Sequence, residues 1–161
     1  MTAIAPSPDV AAPGLTAAQK DDLLAAALAI KPRAYAPYSG FHVGSAMLSR
    51  SGKVHLGVNV ENASYPVGVC AERIAMGAAV TAGDADIIAV AVATDADTPV
   101  MPCGMCSQAL FELSPDLLVI AVDKHGHRRE AFIRHVLPFA YQGEGLEKKD
   151  GYSFTQPKKE G

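Results

Sequence analysis

The sequence predicts a three-layer α/β domain in which a mixed β-sheet lies between helices. Helical and strand patterns alternate along the chain in the order α-β-β-α-β-α-β-α, which is typical of sheets covered by helices. The first two strands are separated by a short polar turn, and this indicates an antiparallel hairpin. The later strands are continuous apolar runs connected through helices, as expected for strands buried on both faces.

The first helix is predicted over residues 16–34 and the hairpin follows it. Thr16 and Gln19 form the pattern of a capping box, and apolar residues recur after them at helical spacing. The two β-compatible runs are Phe41–Ser49 and Lys53–Asn59, and the turn between them ends in glycine.

The remaining elements alternate between helix and strand. An Ala-rich helix ends at Gly83, and Pro102 marks the entry of a second short helix. The predicted elements are a helix over 70–82, a strand over 87–94, a helix over 103–113, a strand over 117–123 and a last helix over 128–136.

Composition excludes some classes of protein. The chain has 161 residues, of which 49% are hydrophobic and 19% charged, and it has no apolar run of the length that a membrane span requires. Fourteen basic and seventeen acidic residues give a net charge of -3. This sign disfavours a polynucleotide partner, because such partners are bound largely by neutralising phosphates.

One domain is expected, with a polar extension at each end. The Ala- and Pro-rich residues 1–14 predict a disordered arm, residues 15–145 the domain, and residues 146–161 a polar tail. The N-terminus lacks the charged and apolar regions of a secretory signal, so we expect a cytoplasmic protein.

The three cysteines predict a metal site. Cys103 and Cys106 are three residues apart and can converge on one ion, and Cys70 supplies a third thiolate. Three protein ligands leave one position of a tetrahedral zinc site open, which is typical of catalysis. Cys70 and Cys103 stand at predicted helix starts, where the partial positive charge of the helix stabilises a thiolate.

Two charged residues next to Cys70 complete the predicted centre. Glu72 is the candidate general acid and base. Arg73 is the candidate neutraliser, because three thiolates on Zn²⁺ leave a net charge of about -1. A Cys-x-Glu followed by Pro-Cys-x-x-Cys is the pattern of zinc-dependent deaminases.

Other interpretations of these residues are open from the sequence. The cysteines could be small buried hydrophobes, or a structural zinc could take His42 or His55 as its fourth ligand. Phe41 could be a core aromatic residue, and Asn59 and Glu61 could serve only to form a turn.

Four segments together resemble the small cytidine deaminases, over about residues 16–142. The segments are YSGFHVG (38–44), NVENASY (59–65), CAER (70–73) and PCGMCSQ (102–108). The resemblance implies a five-stranded sheet flanked by helices, one zinc ion per chain, and a homotetramer whose active sites are completed by neighbouring subunits. It also implies hydrolytic deamination of cytidine and 2′-deoxycytidine to uridine and 2′-deoxyuridine with release of ammonia, as in pyrimidine salvage.

The resemblance also implies roles for individual residues. Phe41 would form an aromatic wall for the base, and Asn59 with Glu61 would bind the ribose hydroxyls. Ala71 would offer backbone groups to the pyrimidine edge, and Tyr141 would reach a neighbouring subunit's site. The partner is then a small nucleoside, with no nucleic acid and no membrane.

The sequence departs from this family pattern in two places. Met105 and Ser107 stand where the family commonly has arginine, which leaves Arg73 as the nearby cation. The segment 137–145 resembles the tail of blasticidin S deaminase, so an alternative is a deaminase of a modified or larger cytosine nucleoside. A second alternative is a zinc-binding adaptor with little turnover, although such a module would not need Glu72.

Overall fold

The computed structural model describes residues 14–143 and residue 146. The predicted N-terminal arm and C-terminal tail therefore lie outside the described residues, apart from Gly14 and Leu146. The elements, with two 3-10 turns, are α1 (Ala17–Ile30), Lys31–Arg33, β1 (Val43–Ser49), β2 (Val54–Val58), Tyr65–Val67, α2 (Ala71–Thr81), β3 (Ile87–Thr94), α3 (Gly104–Leu113), β4 (Leu118–Val122), β5 (Arg128–Phe132) and α4 (Ile133–Val136). Within the described residues, no helix is long and apolar enough to cross a membrane.

The predicted three-layer α/β architecture is confirmed. The strands form one mixed sheet in the order β2-β1-β3-β4-β5, and only β3 and β4 run parallel. Apolar residues of α1 pack on one face of the sheet, while those of α2, α3 and α4 pack on the other. Two separate cores therefore share one sheet.

The predicted last helix over 128–136 is wrong in its first half. Arg128–Phe132 is strand β5, which pairs antiparallel with β4, and only Ile133–Val136 is helical. The reversal is built by Asp123, whose carboxylate accepts the backbone N–H groups of His125 and His127, and by Gly126 at φ 85°. This edge strand brings the sheet to the five strands that the family resemblance implied.

The first helix is shorter than predicted for a simple reason. The capping box of Thr16 and Gln19 is present, but the α-helix ends at Ile30 and a 3-10 turn continues to Arg33. Pro32 has no N–H for the helical ladder, so the regular helix stops before it.

Gly57 allows β2 to lie directly against the backbone of α2. A Cβ atom at Gly57 would come within less than 3.0 Å of the Ala71 carbonyl oxygen and of the Ala75 nitrogen. No side chain separates the strand from the helix at this point. The contact fixes the position of the first turn of α2, and hence of Cys70 and Glu72, relative to the sheet.

Gly57→Ala is expected to lower the free energy of unfolding by about 1–3 kcal/mol, because the added methyl group must push α2 away from β2. Chemical denaturation of the two proteins measures the difference. The matched control is Gly77→Ala on the exposed side of the same helix, where an added Cβ meets nothing within 4 Å. It should stabilise by about 0.5–1 kcal/mol through helix propensity. An unchanged stability of Gly57→Ala would contradict the close contact.

Candidate metal centre and nucleoside site

The candidate site lies at one edge of the sheet. β3 ends there at Thr94, which pairs with Val43 at the beginning of β1, and β2 ends there at Val58 opposite Gly44. The first turn of α2 is held over the same edge by its contact with Gly57. Ligand sites in α/β sheets commonly form where parallel strands end and the following helices begin.

The structure brings the three cysteines together. Cys70 and Cys103 are the N-cap residues of α2 and α3, and Cys106 lies in the first turn of α3. Their sulfur atoms all lie within 4.8 Å of one another. A tetrahedral site with Zn–S bonds of about 2.3 Å places thiolates about 3.8 Å apart, so the donor set and the spacing fit zinc.

The thiols of Cys70 and Cys106 are joined by a hydrogen bond. A hydrogen bond from Cys106 is the largest influence on the Cys70 thiol and lowers its pKa to about 6, although burial and the Glu72 carboxylate oppose this. Cys106 donates that bond and is buried, so its own pKa is raised. The cluster therefore holds one thiolate readily even before a metal binds.

Glu72 is buried beside the cluster. It is the second residue of α2, its residue exposure is 5%, and its carboxyl group lies beside the Cys106 thiol. Burial is the main cause of a raised pKa, and the hydrogen bonds of the carboxylate only partly offset it. A carboxyl group whose pKa is raised above its ordinary value is suited to take up and release a proton.

Neither candidate histidine supplies a fourth ligand. His42 binds Asp95 through Nδ1 at 3.0 Å, and His55 binds Asp84 at 3.1 Å, at the opposite end of the sheet. Within residues 14–143, the group able to hold a metal ion consists of the three cysteines alone. The arrangement therefore has the open fourth position of a catalytic site rather than the closed shell of a structural one.

Arg73 lies next to the cysteines, and none of the ion pairs within residues 14–143 includes it. Its charge contributes to the lowered pKa of Cys70, and its Nη1 lies 3.0 Å from the sulfur of Met105. Ser107 is buried and donates a hydrogen bond to the Pro102 carbonyl at 3.1 Å. The hydroxyl at this position therefore braces the loop before α3.

Asn59 joins the ends of the hairpin at the mouth of the site. Its Oδ1 accepts the Val43 N–H at 2.8 Å, and its Nδ2 donates to the Phe41 carbonyl at 2.9 Å. The amide still has one N–H and one lone pair for a ligand. Phe41 is partly exposed at this edge, as a wall for a bound base requires.

Glu61 is held by the turn that precedes Phe41. Its carboxylate accepts the Tyr38 N–H at 2.9 Å, the Ser39 N–H at 3.2 Å and the Ser39 hydroxyl. The hydroxyl bond is the largest cause of a lowered pKa of Glu61, so the group is ionised at neutral pH. Glu61 also lines an open pocket of about 300 Å³ together with Tyr38, Ser39, Asn62 and Tyr65.

A short backbone ladder connects this segment to the metal cluster. Val60, between Asn59 and Glu61, exchanges two hydrogen bonds of 2.9 Å with Val69, the residue before Cys70. The predicted ribose-binding residues and the first metal ligand are thus fixed by the same pair of backbone bonds.

Ala71 and Tyr141 occupy different surroundings. Ala71 is fully buried at the start of α2 and its carbonyl faces Gly57, so its N–H, which precedes the helical ladder, is the backbone group left for a ligand. Tyr141 lies beyond α4, with its ring half exposed and its backbone bound to the side chain of Gln108.

Asp95 is a site residue that the sequence analysis missed. Its carboxylate accepts Lys31 Nζ at 2.6 Å, the His42 backbone N–H at 3.0 Å and the His42 ring nitrogen at 3.0 Å. It therefore ties the end of α1 and the end of β3 to the residue after Phe41. The signal in the sequence was an acidic residue directly after a buried strand, at the edge where sites form.

Comparisons with known proteins agree with this geometry. The family model of the cytidine and deoxycytidylate deaminase zinc-binding region matches residues 17–122. A cytidine deaminase of Halalkalibacterium halodurans is 41% identical over 125 residues, which are 77% of this chain and 95% of that protein. A cytidine deaminase of Sporosarcina psychrophila is 36% identical over 127 residues, which are 78% of this chain and 93% of that protein.

A solved structure is similar in fold as well as in sequence. The crystal structure of cytidine deaminase from Burkholderia pseudomallei has a TM-score of 0.74 and 41% identity. The similarity covers 79% of this chain and 100% of that one. The residues 17–122 that match the family model include strands β1 to β4 and the two helices that carry the cysteines.

The ion pair of Asp95 predicts a loss of stability in acid. Lys31 and then the bonds from His42 lower the pKa of Asp95 to about 2 from its ordinary value of 3.8. The ionised carboxylate therefore stabilises the fold above about pH 4, and this contribution is lost as the pH falls towards 2. Urea unfolding midpoints of wild type and Asp95→Asn should differ at neutral pH and converge in acid. A difference that does not change over this range would contradict the assignment.

Proposed function

Because the chain belongs to the cytidine and deoxycytidylate deaminase family, we propose that it is a zinc-dependent hydrolase that deaminates cytidine and 2′-deoxycytidine. The products are uridine or 2′-deoxyuridine and ammonia. The observation that carries the proposal is the convergence of three cysteine sulfurs beside a buried carboxyl group. The similar proteins compared above are named cytidine deaminases, so a modified cytosine nucleoside as the main substrate is not favoured.

Cys70, Cys103 and Cys106 would hold one zinc ion. When bound, zinc supplies a Lewis acid that makes water a nucleophile near neutral pH. Two of the three ligands begin helices, whose partial positive ends offset part of the negative charge of the thiolates.

Glu72 would carry the protons of the reaction. It takes one proton from the attacking water and delivers it to the ring nitrogen next to the amine-bearing carbon. A bond from oxygen to that carbon forms, and Glu72 then transfers a second proton from the new hydroxyl group to the amine. The carbon–nitrogen bond breaks and ammonia leaves with its electron pair, so Glu72 ends the cycle ionised.

The nucleoside would be oriented by the hairpin edge. Phe41 packs against the base, and the Ala71 N–H donates to the pyrimidine edge. The remaining N–H and lone pair of the Asn59 amide and the Glu61 carboxylate bind the ribose hydroxyls. The support is that the side chains of Asn59 and Glu61 are both held by hydrogen bonds to the backbone of the segment 38–43.

We further propose that the enzyme is a homotetramer in which Tyr141 reaches a neighbouring subunit's site. Its support is the exposure of large aromatic residues, with Tyr65 77% and Phe139 95% exposed in the single chain. Sedimentation equilibrium should give the mass of four chains. The cytoplasm is the proposed compartment, since it keeps the three free thiols reduced.

Ammonia release from cytidine tests the activity. Zinc-loaded wild type should turn cytidine over, and Glu72→Ala should lower kcat by about a hundredfold to ten-thousandfold because the proton carrier is lost. Zinc measured on both samples should remain one per chain. Absence of turnover in a zinc-loaded wild type would refute the proposed substrate, and full activity of Glu72→Ala would refute the proton route.

Removing the charge of Arg73 should weaken the metal centre. Three thiolates and Zn²⁺ sum to about -1, and Arg73 is the cation that acts on Cys70. Arg73→Ala should bind zinc about 10- to 100-fold more weakly in competition with a chelator. Arg73→Lys keeps the charge and serves as the control. Equal zinc affinity and equal rate in Arg73→Ala would show that the charge is not needed.

The ribose contacts predict a preference for nucleosides over the free base. An unpaired buried polar partner costs about 1–3 kcal/mol, which corresponds to roughly ten- to hundredfold in kcat/KM for each contact. The kcat/KM for cytidine should therefore be much higher than that for cytosine, and Asn59→Ala should reduce the ratio of the two values. Comparable rates on cytosine and cytidine would contradict the role of Asn59 and Glu61.

A further inference from the structure

Gln108 clamps the chain at Tyr141. Its Oε1 accepts the Tyr141 N–H at 2.9 Å, and its Nε2 donates to the Tyr141 carbonyl at 2.8 Å. One side-chain amide thus pairs with both backbone groups of a single residue, as a neighbouring β-strand would. Residues 138–143 belong to no helix or strand, so this pairing takes the place of regular structure.

The clamp determines which side chains of the segment face outward. Ala140 is buried, whereas Phe139 and Tyr141 on either side of it are exposed. The exposed fraction of the Tyr141 residue is 55%. Large exposed rings on a chain with a fixed backbone are held at a low cost in conformational entropy when they bind a partner or ligand.

Gln108 lies close to the metal centre without being part of it. It stands two residues after Cys106 on α3, half buried, and its side chain extends from the helix to the segment after α4. The position of Tyr141 is therefore tied to the same helix that carries two of the three cysteines.

We propose that Gln108 is a positioning residue that holds the Tyr141 ring where it reaches the nucleoside in a neighbouring subunit's site, and that it so determines substrate affinity. This inference rests on the proposed function. Gln108 itself touches neither substrate nor metal, and it acts through the backbone of Tyr141. Loss of the clamp should leave the chemical step intact and weaken binding, because the ring must then be ordered each time a nucleoside binds.

The chemistry of the side chain offers graded variants. Gln108→Met keeps the length but can make neither bond. Gln108→Glu can still accept the Tyr141 N–H but cannot donate to its carbonyl. The matched control is Gln142→Met, the same change at a neighbouring exposed glutamine that makes no such clamp.

The experiment combines steady-state kinetics on cytidine with hydrogen exchange of the Tyr141 amide and zinc content. Gln108→Met should raise KM about tenfold with kcat within about twofold of wild type. Its Tyr141 amide should exchange faster, and zinc should remain one per chain. Gln108→Glu should have an intermediate KM, and Gln142→Met should match wild type.

Three results would overturn the inference. They are faster exchange at Tyr141 with an unchanged KM, unchanged exchange in Gln108→Met, and loss of zinc or of folding in both Gln108 variants. A wild-type enzyme that does not turn cytidine over would overturn the proposed function together with this inference. Wild-type turnover with any of the three results overturns the inference alone.

Discussion

The backbone contact at Gly57 determines where the chemistry lies. Because β2 meets the first turns of α2 with no side chain between them, the Cys70 sulfur and the Glu72 carboxyl have a fixed height above the sheet edge. The same strand continues into Asn59, which closes the hairpin by bonding to both Phe41 and Val43. The absence of a Cβ at Gly57 therefore brings the helix that begins at Cys70 and the polar residues after β2 to the same edge of the sheet.

Ionisable acidic groups are concentrated at this edge of the sheet. Most of them interact with helix N-termini and backbone N–H groups rather than with cationic side chains. Three thiols lie at the starts of α2 and α3 with the Glu72 carboxyl group, and two further carboxylates, Glu61 and Asp95, are held by the segment before β1. Each negative group has a specific donor or positive end near it: the helix starts for the thiols, the turn at Ser39 for Glu61, and Lys31 for Asp95. Glu72 is the exception, because burial is the main influence on it and raises its pKa. This raised pKa distinguishes the candidate proton carrier from the other carboxylates, whose pKa values are lowered.

Most of the fold and the metal ligands follow from local patterns. The capping box, the glycine-ending turn and the apolar run over 87–94 each specify an element within a few residues, and the cysteine spacing specifies a ligand set. β5 was misjudged because its residues are polar and its partner strand lies across a turn. The contacts of Asp95 and Gln108 were not predicted, because they join segments that are far apart in the sequence. The separation is 53 to 64 residues for Asp95 and 33 residues for Gln108. No periodicity in the sequence reports such contacts.

The two backbone hydrogen bonds between Val60 and Val69 connect the metal cluster to the proposed ribose-binding residues. Val69 precedes Cys70, and Val60 lies between Asn59 and Glu61, the residues proposed to bind the ribose. Linkage requires that such coupling act equally in both directions. In the proposed enzyme the affinity for the ion and the affinity for the nucleoside would then be linked, and a metal with a different preferred geometry would change the binding of the sugar without contacting it.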